Sequence, residues 1–392
     1  MGTNDSNIVK QNSRASKKFL EVSEPFYKKV LTRRRHSLKI TLDKAYQNKP
    51  LTKEDIAFIL QLRQKDDIDA LFEAARTVRR ENFGDKIFLY GFLYASTYCR
   101  NNCNFCFYRA SNRTVHRYRK EEAEIIEIAV NLAESGVHLI DLTMGEDPIY
   151  FHNKERGFEP LIRLVEKVKT ATGLPVMVSP GVVPEHVLEE LSNAGASWLA
   201  CYQETHNRDL FQKLRPGQSY DARLNSKHLA HKHGLLTEEG ILVGVGETPR
   251  DISQSFDVMR TLEADQVRAM NFVPREGTPM VNHPSPDPLK ELLIIALMRL
   301  IFPGKLIPAT LDVEGLAGLK RRLEAGANVV TSIVPPRQGL SGVAQSFLDI
   351  DDARRTTASV LPVLEDCGLQ AAPLEEYLAW IKKCRHSFSH RG

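Results

Sequence analysis

Three cysteines fall within eight residues, in the run Cys99-Arg100-Asn101-Asn102-Cys103-Asn104-Phe105-Cys106. The spacing is C-x3-C-x2-C, and it directly follows the apolar stretch from Ile87 to Ala95. Three thiolates on one tight loop can each ligate one iron of a 4Fe-4S cube and leave the fourth iron open to an exogenous ligand. An open iron means chemistry rather than simple electron storage. A zinc knuckle is the competing reading, because His116 lies ten residues beyond Cys106. Structural zinc sites favour a second Cys-x2-Cys pair, which this sequence does not contain.

Outside that loop the most informative charges are Arg268, inside the apolar run Val267 to Phe272, and Asp312, in Ala309-Thr310-Leu311-Asp312-Val313-Glu314-Gly315. A charge within an apolar strand is costly unless it is paired or bound to a ligand. Two readings follow. Arg268 and Asp312 can pair with each other as a structural ion bridge, or they can cradle a zwitterion, with Arg268 on a carboxylate and Asp312 on an amine. Further polar groups fall where apolar runs end: Met144-Gly145-Glu146, Ser179-Pro180-Gly181, Tyr202-Gln203-Glu204-Thr205, and Gly244-Val245-Gly246. Gly145 lets backbone approach a ligand, and carbonyls with Glu146 can accept from an ammonium group. Arg223 offers the bidentate fork that grips a carboxylate, although a surface helix arginine is the plainer reading.

The elements that must position these residues alternate along the chain. Strands are expected at Ile87–Ala95, His138–Met144, Pro175–Ser179, Trp198–Gln203, Gly240–Gly246, Gln266–Phe272, Leu306–Leu311 and Asn328–Ile333. Amphipathic helical patterns lie between them, near Lys120–Ser135, Pro160–Thr170, Glu185–Ala194, Asp221–His233, Arg250–Leu262, Pro288–Ile301 and Val313–Glu324, with another near Thr357–Asp366. Eight strand-helix units predict parallel strands closed into a (β/α)8 TIM barrel, whose active site lies at the C-terminal ends of the strands. A doubly wound open sheet is the alternative. The expected organisation is a polar, basic extension over 1–50, N-terminal helices over 51–85, the barrel over 86–372, and a C-terminal helix and tail over 373–392. Within these, helices are expected from a capping Thr52 and around Ala70–Glu81, and the last helix, Leu374–Lys383, is expected to pack outside the barrel.

The chain has 392 residues, 42% hydrophobic content and a net charge of +4 from 53 basic and 49 acidic residues. It is long enough for a substantial core, and the balanced charge implies no nucleic-acid partner. The polar opening Met1–Lys18 and the basic run Arg33–His36 read as a solvated tail. No run long and apolar enough for a bilayer or a signal peptide is present, so no membrane association is expected. Cys201, Cys367 and Cys384 are too dispersed for a disulfide framework, which fits a reducing cytoplasm.

These residues resemble the radical S-adenosylmethionine (SAM) enzymes, in the branch that contains biotin synthase and the hydrogenase maturase of the same fold. The likeness runs from about Leu51 to Pro335 and is carried by Tyr98-Cys99-x3-Cys103-x-Phe105-Cys106, Asp141-Leu142-Thr143-Met144-Gly145-Glu146-Asp147-Pro148, Tyr202-Gln203-Glu204-Thr205, Lys213-Leu214-Arg215, Gly217-Gln218-Ser219 and Leu311-Asp312-x-Glu314-Gly315. It implies a 4Fe-4S cluster on Cys99, Cys103 and Cys106, with SAM chelating the open iron. Met144-Gly145-Glu146 would hold the SAM amine in place of the family's Gly-Gly-Glu, Ser179 and Arg223 its carboxylate, and Glu204 its ribose. Thr310 stands where the family has serine. The resemblance further implies an isomerase of pyrrolysine biosynthesis that rearranges L-lysine to 3-methylornithine through a glycyl radical and an aminobutene fragment, with Arg268, Asp312 and Thr310 on the substrate. An electron donor such as flavodoxin or ferredoxin is implied. A hydrogenase maturase, another amino-acid mutase, and a non-enzymatic metal-binding protein are the alternatives. Biotin synthase would need further cysteines on strands for a second cluster, and only Cys201 falls within an expected strand.

Overall fold

The computed structural model describes residues 37–47, 49–153, 156–340, 342, 344 and 354–389; the segments Met1–Lys18 and Arg33–His36 lie outside them. The eight expected strands all form: β1 Lys86–Ser96, β2 Leu139–Met144, β3 Val176–Ser179, β4 Ala196–Ala200, β5 Leu236–Val243, β6 Gln266–Asn271, β7 Pro308–Thr310 and β8 Val329–Ile333. They run parallel in the order β6-β5-β4-β3-β2-β1-β8-β7. A parallel bridge between Gln266 and Leu306 joins β6 to the segment entering β7 and brings the ring to near closure. This is the expected (β/α)8 barrel, with its helices outside and its polar strand ends at one mouth. No helix among the described residues is long and apolar enough to cross a membrane.

Six strands match their expected ranges to within two residues at each end, and two, β4 and β5, differ by more, for identifiable reasons. β4 stops at Ala200 rather than Gln203: the Gln203 N–H donates to Glu239 Oε1 at 2.7 Å instead of to a strand carbonyl, and pairing resumes only at Glu204 (φ 67°), which bridges to Ile241 of β5. β5 begins at Leu236, four residues early, and runs through Glu238 and Glu239. These two charges hide a strand from its sequence, yet both are fully buried because each meets a cation: Arg268 on Glu238 and Lys227 on Glu239. Burial by itself would raise the Glu239 carboxyl, but Lys227 and His206 together more than offset it and hold it down to about 2.

The helices follow the expected pattern closely, from Lys53–Ile59, capped by a reciprocal Thr52–Asp55 box, and Lys65–Phe83 onward. The exception is the C-terminal helix. It extends over Leu374–Ser389 and does not pack outside; it closes the floor of the barrel. Tyr377 and Ile381 pack against Phe88, Tyr90, Leu139, Met177, Trp198, Leu236 and Val329, and the Tyr377 hydroxyl donates to that of Tyr90 at 2.8 Å. Trp380 stacks on Trp198 at 5.9 Å. The spacing Tyr377, Trp380, Ile381, Cys384 is a helical apolar stripe, and each large side chain buried this way contributes about 1.5–3 kcal/mol. With the floor filled, open space is left at the mouth.

Candidate active site

The cysteine loop leaves β1 and is pinned from both sides. The Asn104 N–H donates to the Leu214 carbonyl at 2.8 Å, and its side-chain amide donates to the Lys213 carbonyl at 2.7 Å. Arg117 closes the far side by donating to the carbonyls of Tyr108 (3.0 Å) and Arg109 (2.6 Å). Cys103 is buried; Cys99 and Cys106 are half-buried. Burial, and then the neighbouring thiols, push the Cys99 and Cys106 thiols up. Such thiols become thiolates only when a strong cation replaces their protons. Among the described residues no three His, Cys, Asp or Glu side chains converge on a point suited to one metal ion. A cube is met differently, one iron per cysteine, so its sulfurs stand apart around a face.

The turn after β2 packs onto this loop. A Cβ at Gly145 would lie 2.4 Å from the Tyr98 carbonyl oxygen and 2.9 Å from Cys99 Cβ, so only glycine permits the approach. The Arg100 N–H donates to the Glu146 carbonyl at 2.9 Å, and Arg100 Nε reaches Glu146 Oε2 at 2.9 Å. Glu146 Oε1 lies 3.6 Å from Arg223 Nη1 and accepts from the Val182 N–H. Arg223 Nε donates to the Tyr202 carbonyl at 2.6 Å, and the Met144 N–H donates to Ser179 Oγ at 3.3 Å. Met144, Gly145, Glu146, Ser179 and Arg223 thus form one cluster beside the cysteines, and Arg223 is a buried residue of it rather than a surface helix arginine.

Glu204 completes the cradle from β4. Its Oε1 accepts from Arg215 Nη2 at 2.6 Å, whereas its buried Oε2 has no partner among the described residues, and burial pushes the carboxyl up. A buried, unpartnered carboxylate oxygen is costly by itself and suits a ligand hydroxyl. Orphaned acceptor, cysteine loop and glycine approach together fit a 4Fe-4S cluster carrying a SAM-like ligand.

Above them lies a cavity bordered by Cys106, Ser179 and Glu204 on one side and by Arg268, Thr310 and Asp312 on the other. Arg268 and Asp312 do not pair with each other. Arg268 Nε donates to Glu238 Oε1 at 2.6 Å, and Asp312 Oδ1 accepts from Arg355 Nη1 at 3.0 Å. Burial would lower the Arg268 pKa, but Glu238, then Tyr202 and Asp141, more than offset it and keep the guanidinium charged. Thr310 Oγ1 accepts from the Asp312 N–H at 3.2 Å and lies 3.4 Å from Ser332 Oγ.

Sequence reasoning gave no role to several residues here. Asp141 borders the same cavity; burial pushes its carboxyl up to about 7, against the opposing hydrogen bond from Thr143. Glu238, Arg355, Arg215 and Gln218 also hold site residues in place. For Asp141 the signal was present, a charge within an expected strand, whereas Glu238 lay outside the expected range of β5 and gave none. Cys201 lies one residue past β4, buried in the main core and beside Ser226 Oγ at 3.6 Å, and is not among the residues bordering the cavity.

A closed parallel barrel with C-x3-C-x2-C on its first loop and a charged cavity above it defines the class of radical SAM enzymes. Residues 93–259 match the Radical SAM superfamily model. The chain is 43% identical over 337 residues to the 3-methylornithine synthase of Methanosarcina barkeri, which covers 86% of this chain and 95% of that protein. It is 31% identical to the FeFe-hydrogenase maturase subunit HydE of Thermotoga maritima, over 72% of this chain and 80% of that one. The crystal structure of methylornithine synthase (PylB) superposes with a TM-score of 0.81 at 41% identity, covering 87% of this chain and 99% of that chain. The chain belongs to the radical SAM superfamily and, within it, to the family of the 3-methylornithine synthases.

Proposed function

We propose that this chain is an isomerase that rearranges L-lysine into 3-methylornithine, the first step of pyrrolysine biosynthesis. The observation that carries the reading is the charge layout of the cavity, where the guanidinium of Arg268 shares a wall with two carboxyl groups, Asp141 and Asp312, while the other lining charges are engaged elsewhere, Arg275 over the Phe107 ring and Glu204 with Arg215. That is one cation for one carboxylate and two acids for two amines, the charge pattern of a diamino acid. When bound, the cluster and SAM supply a 5'-deoxyadenosyl radical that takes a hydrogen atom from an unactivated carbon.

The chain's own residues then hold both ends of what is cleaved. Glu238 occupies only Arg268 Nε, and no described residue takes its terminal nitrogens, which remain as a fork for the α-carboxylate. Asp312, fixed by Arg355 and by its own N–H on Thr310, faces an amine. Burial raises the Asp141 carboxyl to about 7, so that it is about half protonated at neutral pH, and an arriving ammonium favours its charged form, so a cation is selected at that point. Phe92, Phe105, Leu242, Met270 and Phe272 wall the cavity and exclude water from reactive fragments. Ser179 and Arg223 would take the SAM carboxylate, the 144–146 turn its amine, and Glu204 Oε2 its ribose. A flavodoxin or ferredoxin would deliver the electron. The position of Cys201 in the core weighs against sulfur insertion from a second cluster in the cavity.

The test is formation of 5'-deoxyadenosine by the reconstituted, reduced protein with SAM, comparing lysine with norleucine, which lacks the ε-amine. Lysine should raise the rate by about tenfold or more over norleucine. Equal rates would remove the diamino reading.

A further inference from the structure

One cysteine of the loop is treated differently from the other two. Among the described residues, the sulfurs of Cys99 and Cys106 meet only backbone donors, from Asn101 and Glu146 for the first and from Tyr108 for the second. Cys103 Sγ instead faces two side-chain donors, Gln218 Nε2 at 3.1 Å and Arg215 Nη1 at 3.4 Å. The two donors are themselves locked together, because Arg215 Nη1 also lies 3.3 Å from Gln218 Oε1 and the Gln218 N–H donates to the Arg215 carbonyl at 3.2 Å. Gly217 (φ 77°) makes the turn that brings them onto one sulfur after the helix Arg208–Leu214 ends. Arg215 is 7% exposed, and its other terminal nitrogen is held by Glu204 at 2.6 Å.

We infer that Arg215 and Gln218 set the reduction potential of the cluster through Cys103, and that Arg215 links this potential to occupancy of the SAM site through Glu204. N–H donors and a buried cation beside a ligand thiolate stabilise the added negative charge of the reduced cluster, which raises its potential. The low dielectric of this buried position makes a fixed guanidinium effective. The link follows from sharing. Glu204 neutralises part of the Arg215 charge, and its second oxygen has no partner among the described residues. A hydroxyl donated to that oxygen draws charge away from the Arg215 contact and leaves more of the cation to Cys103. This link rests on the reading that Glu204 meets SAM; the tuning by Gln218 does not, and neither involves lysine.

The test uses the full chain with its cluster reconstituted anaerobically, and no lysine. The midpoint potential is read by redox titration followed by electron paramagnetic resonance, with and without SAM, in the wild type and in Gln218→Leu and Arg215→Gln. Both variants should load four irons and shift to lower potential. The additional shift caused by SAM should shrink in Arg215→Gln and persist in Gln218→Leu, since only Arg215 touches Glu204. An unchanged potential in Gln218→Leu at full iron content overturns the tuning, and equal SAM-induced shifts in all three proteins overturn the link. Should Arg215→Gln fail to load iron, Gln218→Leu decides the tuning and Arg215→Lys, which keeps the charge but not the fork, takes its place for the link.

Discussion

Replacing Asp141 by asparagine should stabilise the ligand-free protein in a pH-dependent way. The ordinary carboxyl pKa of 3.8 is pushed up to about 7 in the fold, with burial as the leading cause. A folded pKa above the unfolded one means that the fold favours the protonated form. The penalty therefore grows as pH rises through 3.8, and levels off above about 7. At 1.36 kcal/mol per unit, it amounts to about 1.7 kcal/mol near pH 5 and about 4 kcal/mol near pH 7. Asparagine has the same shape, can keep the contact with Thr143 and carries no charge. The stability difference between Asp141→Asn and wild type should therefore move by about 2 kcal/mol in favour of the variant between those two pH values. Chemical denaturation at both, without SAM or lysine, measures it. A difference that does not change with pH would refute the claim that burial raises the Asp141 carboxyl. The same variant should lose affinity for lysine, because it cannot supply the charge that an ammonium restores.

Three further outcomes are expected. Asp312→Asn should keep the cluster and SAM binding and lower stability by only about 1–2 kcal/mol, since the amide oxygen can still accept from Arg355, yet lose lysine conversion; full turnover would remove Asp312 from the substrate. Arg223→Ala should retain four irons and lose SAM affinity in a binding titration, and unchanged affinity would count against its place on the SAM carboxylate. Tyr377→Ala should cost about 3–5 kcal/mol in denaturation, because it empties the barrel floor and strips the Tyr90 hydroxyl of its partner; a loss below about 1 kcal/mol would mean that the floor is not built as described.

The sequence carried the barrel and the cluster loop because both are local signals: apolar runs alternating with amphipathic stretches, and cysteines at fixed spacing. Arg268 and Asp312 were found by one physical rule, that a charge in a strand needs a reason. Asp141 and Glu238 satisfy the same rule. Asp141 was absorbed into a longer motif, and Glu238 sits with Glu239 in what looks like a polar stretch, which also displaced the start of β5. What could not be read was partnership. Glu238 lies 30 residues from Arg268, and Asp312 lies 43 from Arg355; barrel closure decides these pairs, and nothing in either neighbourhood encodes them. The C-terminal helix shows the same limit, since its apolar stripe was visible but not which surface it would cover.

Lysine carrying carbon-13 at Cβ tests the central claim most directly. The reconstituted, reduced protein with SAM should release a product of lysine's mass in which the labelled carbon is a methyl group, because cleavage of Cα–Cβ and rejoining at Cγ leaves Cβ at the end of a branch. Carbon-13 magnetic resonance of the isolated amino acid reads this in one spectrum. A label that stays in a methylene, or SAM cleavage that leaves lysine unrearranged, would contradict the assignment of this chain as the lysine isomerase.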